Sequence, residues 1–184
     1  PSAVTDRAAT LSPSDDLPFA HLQAQTLGAP AYIGQSAEES RVVEAKDSLD
    51  LAAHTQIDID DPLNSAVSLQ RGVSNDGRLT LREVFKGSAP ALVTLSGCDT
   101  LLADHQGRMG LLFPQAFLAA GAQSVVATLA RVSDLAAAVL VKRFYRLLRN
   151  HPTGQALRLA ALHNRTYFPH PAHWALFSVV GDFR

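Results

Sequence analysis

Residues 91–98, Ala-Leu-Val-Thr-Leu-Ser-Gly-Cys, decide how the chain is read. The run is apolar and carries Val93 and Thr94, which suits a short strand covered on both faces, the kind found inside a parallel sheet. Ser96 and Gly97 end it. Cys98, the single cysteine of the chain, is therefore expected just past the carboxyl end of a strand.

The same pattern recurs outward from this stretch. Upstream, residues 49–53 form a small-apolar run ending at His54, and an acidic loop with Asp58, Asp60, Asp61 and Pro62 follows, which predicts a second strand with His54 at its end. Residues 31–34 read as a strand closed by glycine, after which Ser36, Glu38 and Glu39 open a helix as an N-cap and first-turn acids do. Residues 66–69 and 78–81 flank the turn signal Asn75-Asp76-Gly77, so a small hairpin is expected. Downstream, the sequence predicts a helix over 114–120 stopped by Gly121 and a valine-rich strand over 124–129. A long helix capped by Ser133 or Asp134 then runs to Arg149, with Ala137, Leu140, Val141, Phe144 and Leu148 on one face. A helix over 155–164 and a strand over 174–180 complete the series. Strands alternating with helices imply an α/β fold, a three-layer α/β/α sandwich with a mostly parallel sheet. Residues 1–16 show no apolar period and read as a flexible leader or linker, leaving 17–184 as the domain.

Composition narrows the class. With 184 residues, 47% hydrophobic and 18% charged, the chain suits one domain with one core. No apolar run approaches the ~18 residues of a membrane span, and no membrane partner is expected. One cysteine excludes an internal disulfide, and no stretch has the order of a signal peptide, so a reducing cytoplasmic setting is expected. Residues 1–130 carry 8 basic and 15 acidic side chains against 8 and 2 in residues 131–184. The basic C-terminal third, including Lys142, Arg143, Arg146 and Arg149, lacks interleaved aromatics, so it reads as a solvated helix face and not as a nucleic-acid surface.

In open α/β sheets reactive groups gather beyond the carboxyl ends of the strands, where His54 and Cys98 are both placed. An adjacent imidazole makes a thiol nucleophilic at neutral pH. By residue type alone, a lone cysteine after a strand is more often a buried small hydrophobe, and a lone histidine a satisfied polar residue.

Longer stretches carry more information. LVTLSGCDT (residues 92–100) resembles the LSACET-ended segment that bears the nucleophile of CHAT domains, caspase-like modules often found with tetratricopeptide repeats. LDLAAHT (49–55) is similar to that family's HLATHG histidine segment. LTLREV (79–84), AFLAAGAQSVVATL (116–129), KRFYRLL (142–148), QALRLA (155–160) and HWALFSVVGD (173–182) follow the family's order and approximate spacing. The resemblance covers nearly everything after Leu17. It implies a caspase-like fold, of which this chain would be the C-terminal portion, and a cysteine endopeptidase with His54 assisting Cys98.

By the same resemblance, backbone N–H groups of Thr55 and Cys98 would form the oxyanion hole. Asp134, placed like an acid that binds arginine in separases, would favour a basic residue before the cleaved bond, aided by the field of Asp58, Asp60 and Asp61. Its plainer role is to cap its helix. Asp99 and Ser65 are further candidates for lining the substrate cleft. No cofactor is implied, and no metal, since His170 and His173 lack a third ligand nearby. The expected partners are a protein or peptide substrate and a repeat-containing or other upstream region. Two departures from the family pattern, Thr55 in place of glycine and Ala130 in place of an aromatic, favour the alternative of a catalytically idle interaction module. A nucleotide-binding domain is disfavoured because no strand end carries a glycine-rich phosphate loop.

Overall fold

A computed structural model describes residues 8–12, 31–33, 45, 47–72, 75–96 and 112–184. Its strands are β1 (Ala8–Ser12), β2 (Ala31–Ile33), β3 (Ser48–Leu51), β4 (Thr55–Gln56), β5 (Ala66–Ser68), β6 (Arg78–Thr80), β7 (Leu92–Leu95), β8 (Ser124–Thr128) and β9 (Phe177–Gly181). Its helices are α1 (Leu81–Lys86), α2 (Leu112–Ala119), α3 (Asp134–Leu147) and α4 (Thr153–Tyr167). Six strands form the main sheet in the order β2-β1-β3-β7-β8-β9, and three form a small sheet in the order β4-β5-β6. The main sheet is parallel from β2 to β8, with β9 antiparallel at its edge.

Period-two alternation sorts the central strands onto two faces. Leu49, Leu51, Val93, Leu95, Val125 and Ala127 pack with Phe113, Ala116 and Phe117 of α2, Leu81 and Val84 of α1, and Val67 and Leu79 of the small sheet. Val126, on the other face, joins Leu140, Val141 and Phe144 of α3 and Ala156, Leu157 and Ala160 of α4. Phe113, Phe117 and Phe144 are completely buried or nearly so, each contributing about 1.5–3 kcal/mol of burial free energy. Helices on both faces of a mostly parallel sheet are the α/β architecture that the alternating sequence implies.

Three elements depart from the sequence expectation. Ala8–Ser12, within the stretch read as a leader, is β1, paired in parallel with β2 on one side and β3 on the other. A five-residue strand of Ala, Ala, Thr, Leu and Ser has no distinctive pattern, and its place comes from hydrogen bonding on both edges. Thr55–Gln56 adds a third strand to the expected hairpin by pairing with β5. Leu81–Lys86 is helical, opened by a reciprocal capping box between Thr80 and Glu83. Gly77 makes the anticipated turn at a φ of 76°, where a Cβ would meet the backbone of Leu69 and Arg71. The helix expected after Ser36 lies outside the described residues.

Asn164 joins the elements of the α3/α4 layer. Wholly buried on α4, it donates from Nδ2 to the Ala136 carbonyl at 3.0 Å and to the His173 carbonyl at 2.8 Å. Replacing Asn164 with alanine removes both of these hydrogen bonds, and urea denaturation should show a loss of about 2–4 kcal/mol.

Candidate active site

The site is built from the carboxyl ends of neighbouring strands. β3 and β7 pair in parallel with Leu51 opposite Leu95, and the ladder continues one step further through Ser96 N–H to the Leu51 carbonyl at 3.1 Å. His54 follows Leu51 by three residues, and Cys98 follows Leu95 by three. The two residues therefore stand equally far in sequence beyond paired positions of adjacent strands. Cys98 and Asp99 themselves lie outside the described residues.

His54 stands where the chain passes from the main sheet to the small one. Ala52 and Ala53 before it are buried, while its own side chain is exposed. The His54 carbonyl accepts the Ser68 N–H at 2.8 Å, and Thr55 then pairs with Val67, so the backbone on either side of the imidazole is held. Its exposure leaves the ring open to solvent and to a neighbour.

Asp134 opens α3 just beyond the end of β8, the strand next to β7. Ser133, at the N-cap, makes no side-chain hydrogen bond to the helix end, so the negative charge of Asp134 is what complements that terminus. Partial burial raises the Asp134 carboxyl above its ordinary range, and the charge of His54 works in the opposite direction. Acid and imidazole thus share one neighbourhood. Leu129 and Leu135, on either side of Asp134 in sequence, are exposed apolar side chains.

The acidic loop is largely self-satisfied. Asp58 accepts from the N–H groups of Asp60 at 3.1 Å and Asp61 at 2.9 Å, and from Asn64 Nδ2 at 2.9 Å. These bonds, with the charge of Arg78, hold its carboxyl below the usual range. Asp61 forms an exposed ion pair with Arg82 at 3.3 Å, a contact of small energetic value that nonetheless reduces the local negative field. Ser65 is completely buried; its Oγ accepts the Asp58 N–H at 2.9 Å, and its carbonyl accepts the Leu81 N–H at 2.9 Å. The hydroxyl is spent on shaping the loop after His54. His170 Nδ1 accepts the Ala172 N–H, the His170 and His173 rings lie 6.1 Å apart, and no group of three or more metal-ligating side chains occurs among the described residues.

A buried polar cluster beneath the strand ends was not anticipated. Asp50, wholly buried in the middle of β3, stands opposite Thr94 of β7. One carboxylate oxygen accepts the Ser96 hydroxyl at 3.0 Å, while Oδ2 is buried without a partner. The hydroxyl of buried Tyr145, on α3, donates to Thr94 Oγ1 at 2.7 Å. Burial pushes the Asp50 carboxyl up to about 7, against a smaller downward pull from Ser96. The signal was a charged residue inside the otherwise small-apolar run of residues 49–53.

A CHAT domain family model matches residues 9–182. Among solved structures, the chain is similar to separase of Saccharomyces cerevisiae, crystallised in complex with securin, with a TM-score of 0.65 and 12% identity over 97% of this chain and 12% of that one. It is also similar to the Arg-specific cysteine proteinase gingipain R, with a TM-score of 0.68 and 11% identity over 98% of this chain and 48% of that one. At such identities these likenesses establish the fold, and this chain spans only a fraction of either protein. No curated protein matches the sequence. Among the described residues no helix is long and apolar enough to cross a membrane.

The Asp50 carboxyl makes stability depend on pH in a definite sense. Its folded pKa lies above the unfolded value, so the folded state holds the extra proton, and stability is greatest below about 4 and falls as pH rises through about 7. The difference corresponds to roughly 4 kcal/mol. In urea titrations from pH 4 to 8, Asp50→Asn should gain on the wild type by that order as pH rises.

Proposed function

The chain belongs to the CHAT-domain family, and from that premise we propose that it is a caspase-like cysteine endopeptidase using His54 and Cys98. The observation that supports the reading is the in-register pairing of β3 and β7, whose last paired residues, Leu51 and Leu95, stand three positions in sequence before His54 and Cys98. In the proposed reaction His54 takes the thiol proton and the sulfur attacks the substrate carbonyl carbon, forming a C–S bond. The negative oxygen is received by the backbone N–H groups of Thr55 and Cys98. Collapse breaks the C–N bond, and the amine leaves with the proton from His54. Water, deprotonated by His54, then attacks the thioester, releasing the acid and restoring the thiol.

Asp134 supplies the proposed preference for a basic side chain before the cleaved bond. Its partial burial and its electrical contact with His54 support this role, since a charge set back from bulk water beside the nucleophile's base is well placed to bind a substrate cation. Asp99, directly after Cys98, is proposed to line the same cleft, and Ser65 to contribute by fixing the loop that borders it. The proposed partner is a protein or peptide substrate, and no cofactor is required.

Thr55 and Ala130 keep the idle interaction module as the second reading. An arginyl acyloxymethyl ketone separates the two. The wild type should be labelled at Cys98, and labelling should vanish in Cys98→Ala and fall at least ~100-fold in His54→Ala. Reaction no faster than that of free cysteine would overturn the peptidase reading. For specificity, Asp134→Ala should lower kcat/KM roughly 10- to 100-fold on substrates with arginine before the cleaved bond; an unchanged preference would discard Asp134 as the determinant.

A further inference from the structure

A fully buried acid in the centre of a sheet is costly, and an apolar residue of similar size would remove the cost. Val126, in register with Thr94 and so on the same face of the sheet as Asp50, shows that this layer accommodates an apolar side chain. The structural role of Asp50 must therefore be sought in what it touches. Among the described residues its side-chain hydrogen-bond partner is Ser96, the residue that extends the β3–β7 ladder beyond Leu95. Asp50 precedes His54 by four residues, and Ser96 precedes Cys98 by two. Side chain and backbone thus tie the two strands together at the point where both leave the sheet.

We infer that the Asp50–Ser96 hydrogen bond is a positioning element that locks the end of β3 to the end of β7 and thereby sets the reactivity of Cys98. It goes beyond the peptidase reading in assigning a role to residues outside the catalytic pair, and it is testable on the thiol alone. Among the described residues, the groups near Asp50 are Thr94 and Ser96 from β7 and the buried Tyr145 phenol from α3, whose ionisation Asp50 opposes; Thr10 of β1 stands opposite in register. Cys98 follows Ser96, the partner of Asp50, by two residues in sequence, and two residues of chain span at most about 7 Å. Loss of the Asp50 proton places an anion in a poorly solvated site and disfavours the thiolate, so the two titrations are coupled.

Because Cys98 is the only cysteine, iodoacetamide alkylation reports on it selectively. Rates would be measured from pH 5 to 10 for the folded wild type, Asp50→Asn, Asp50→Leu and Ser96→Ala, with folding checked by circular dichroism. The wild-type profile should show an inflection near pH 7 besides that of the thiol, and both Asp50 variants should lose it. Ser96→Ala should keep an inflection from Asp50 at shifted pH while changing the plateau rate at least about threefold. Rescue of the plateau in Asp50→Asn, which retains an acceptor for the Ser96 hydroxyl, but not in Asp50→Leu, identifies the hydrogen bond as the cause. Profiles of Asp50→Asn and Ser96→Ala that superpose on the wild type overturn the inference. Failure of the arginyl ketone to label a chain whose alkylation profile does change with Asp50 would remove the peptidase reading and leave the lock standing.

Discussion

The register between β3 and β7 is the constraint on which the rest of the molecule depends. A slip of one residue in either strand would exchange its faces, bringing Leu49 and Leu51 or Val93 and Leu95 against α3 and turning Asp50 or Thr94 toward α2. Two independent features resist it. Apolar alternation fills both layers only in the observed register, and the bonds from Ser96 to Asp50 and from Tyr145 to Thr94 are satisfied only there. The apolar term is large but non-directional, whereas the hydrogen bonds are modest in net value and demanding in geometry. Together they specify where each strand ends, and therefore where the residues after it begin.

The small sheet does for His54 what the main sheet cannot. A residue beyond the end of a strand has free backbone dihedrals unless something else holds it. Here the Ser68 N–H captures the His54 carbonyl, Thr55 and Gln56 pair with β5, and the loop that follows is closed by Asp58, Asn64 and Ser65. Arg78 extends the brace by donating to the Asn64 carbonyl, and the capping box at Thr80 starts α1 beneath it. The exposed imidazole is thereby presented from a backbone fixed on both sides.

What was legible in the sequence is what local pattern encodes. The valine-rich run became β8, the capped apolar stripe became α3, and the strand placements of His54 and the segment before Cys98 follow from short apolar runs ended by polar or glycine residues. What was not legible is set by tertiary pairing. β1 has no pattern of its own and is fixed by partners on both edges, while two residues are too few for β4 to announce itself. Asp50 carries little signal in sequence because a single polar residue hardly alters the apolar character of a run. Its significance appears only when burial and the absence of a second partner are known. The electrical contact between Asp134 and His54 is likewise a product of topology, since 80 positions of sequence separate them.

Thr55 can be understood from the same topology. Where the family pattern has glycine after the histidine, backbone freedom is gained at the expense of strand propensity. In this chain residue 55 begins β4 opposite Val67, and a β-branched residue suits that position because its restricted χ1 matches a pleated, half-buried surface. Threonine therefore strengthens the tether that fixes His54, at the cost of a bulkier approach to the site. Near Asp134, small Ala130 and the exposed Leu129 and Leu135 stand where the family pattern has a single large aromatic. The two departures are then opposite in sense: bulk is added at residue 55, where the backbone needs holding, and removed at residue 130, shortly before α3.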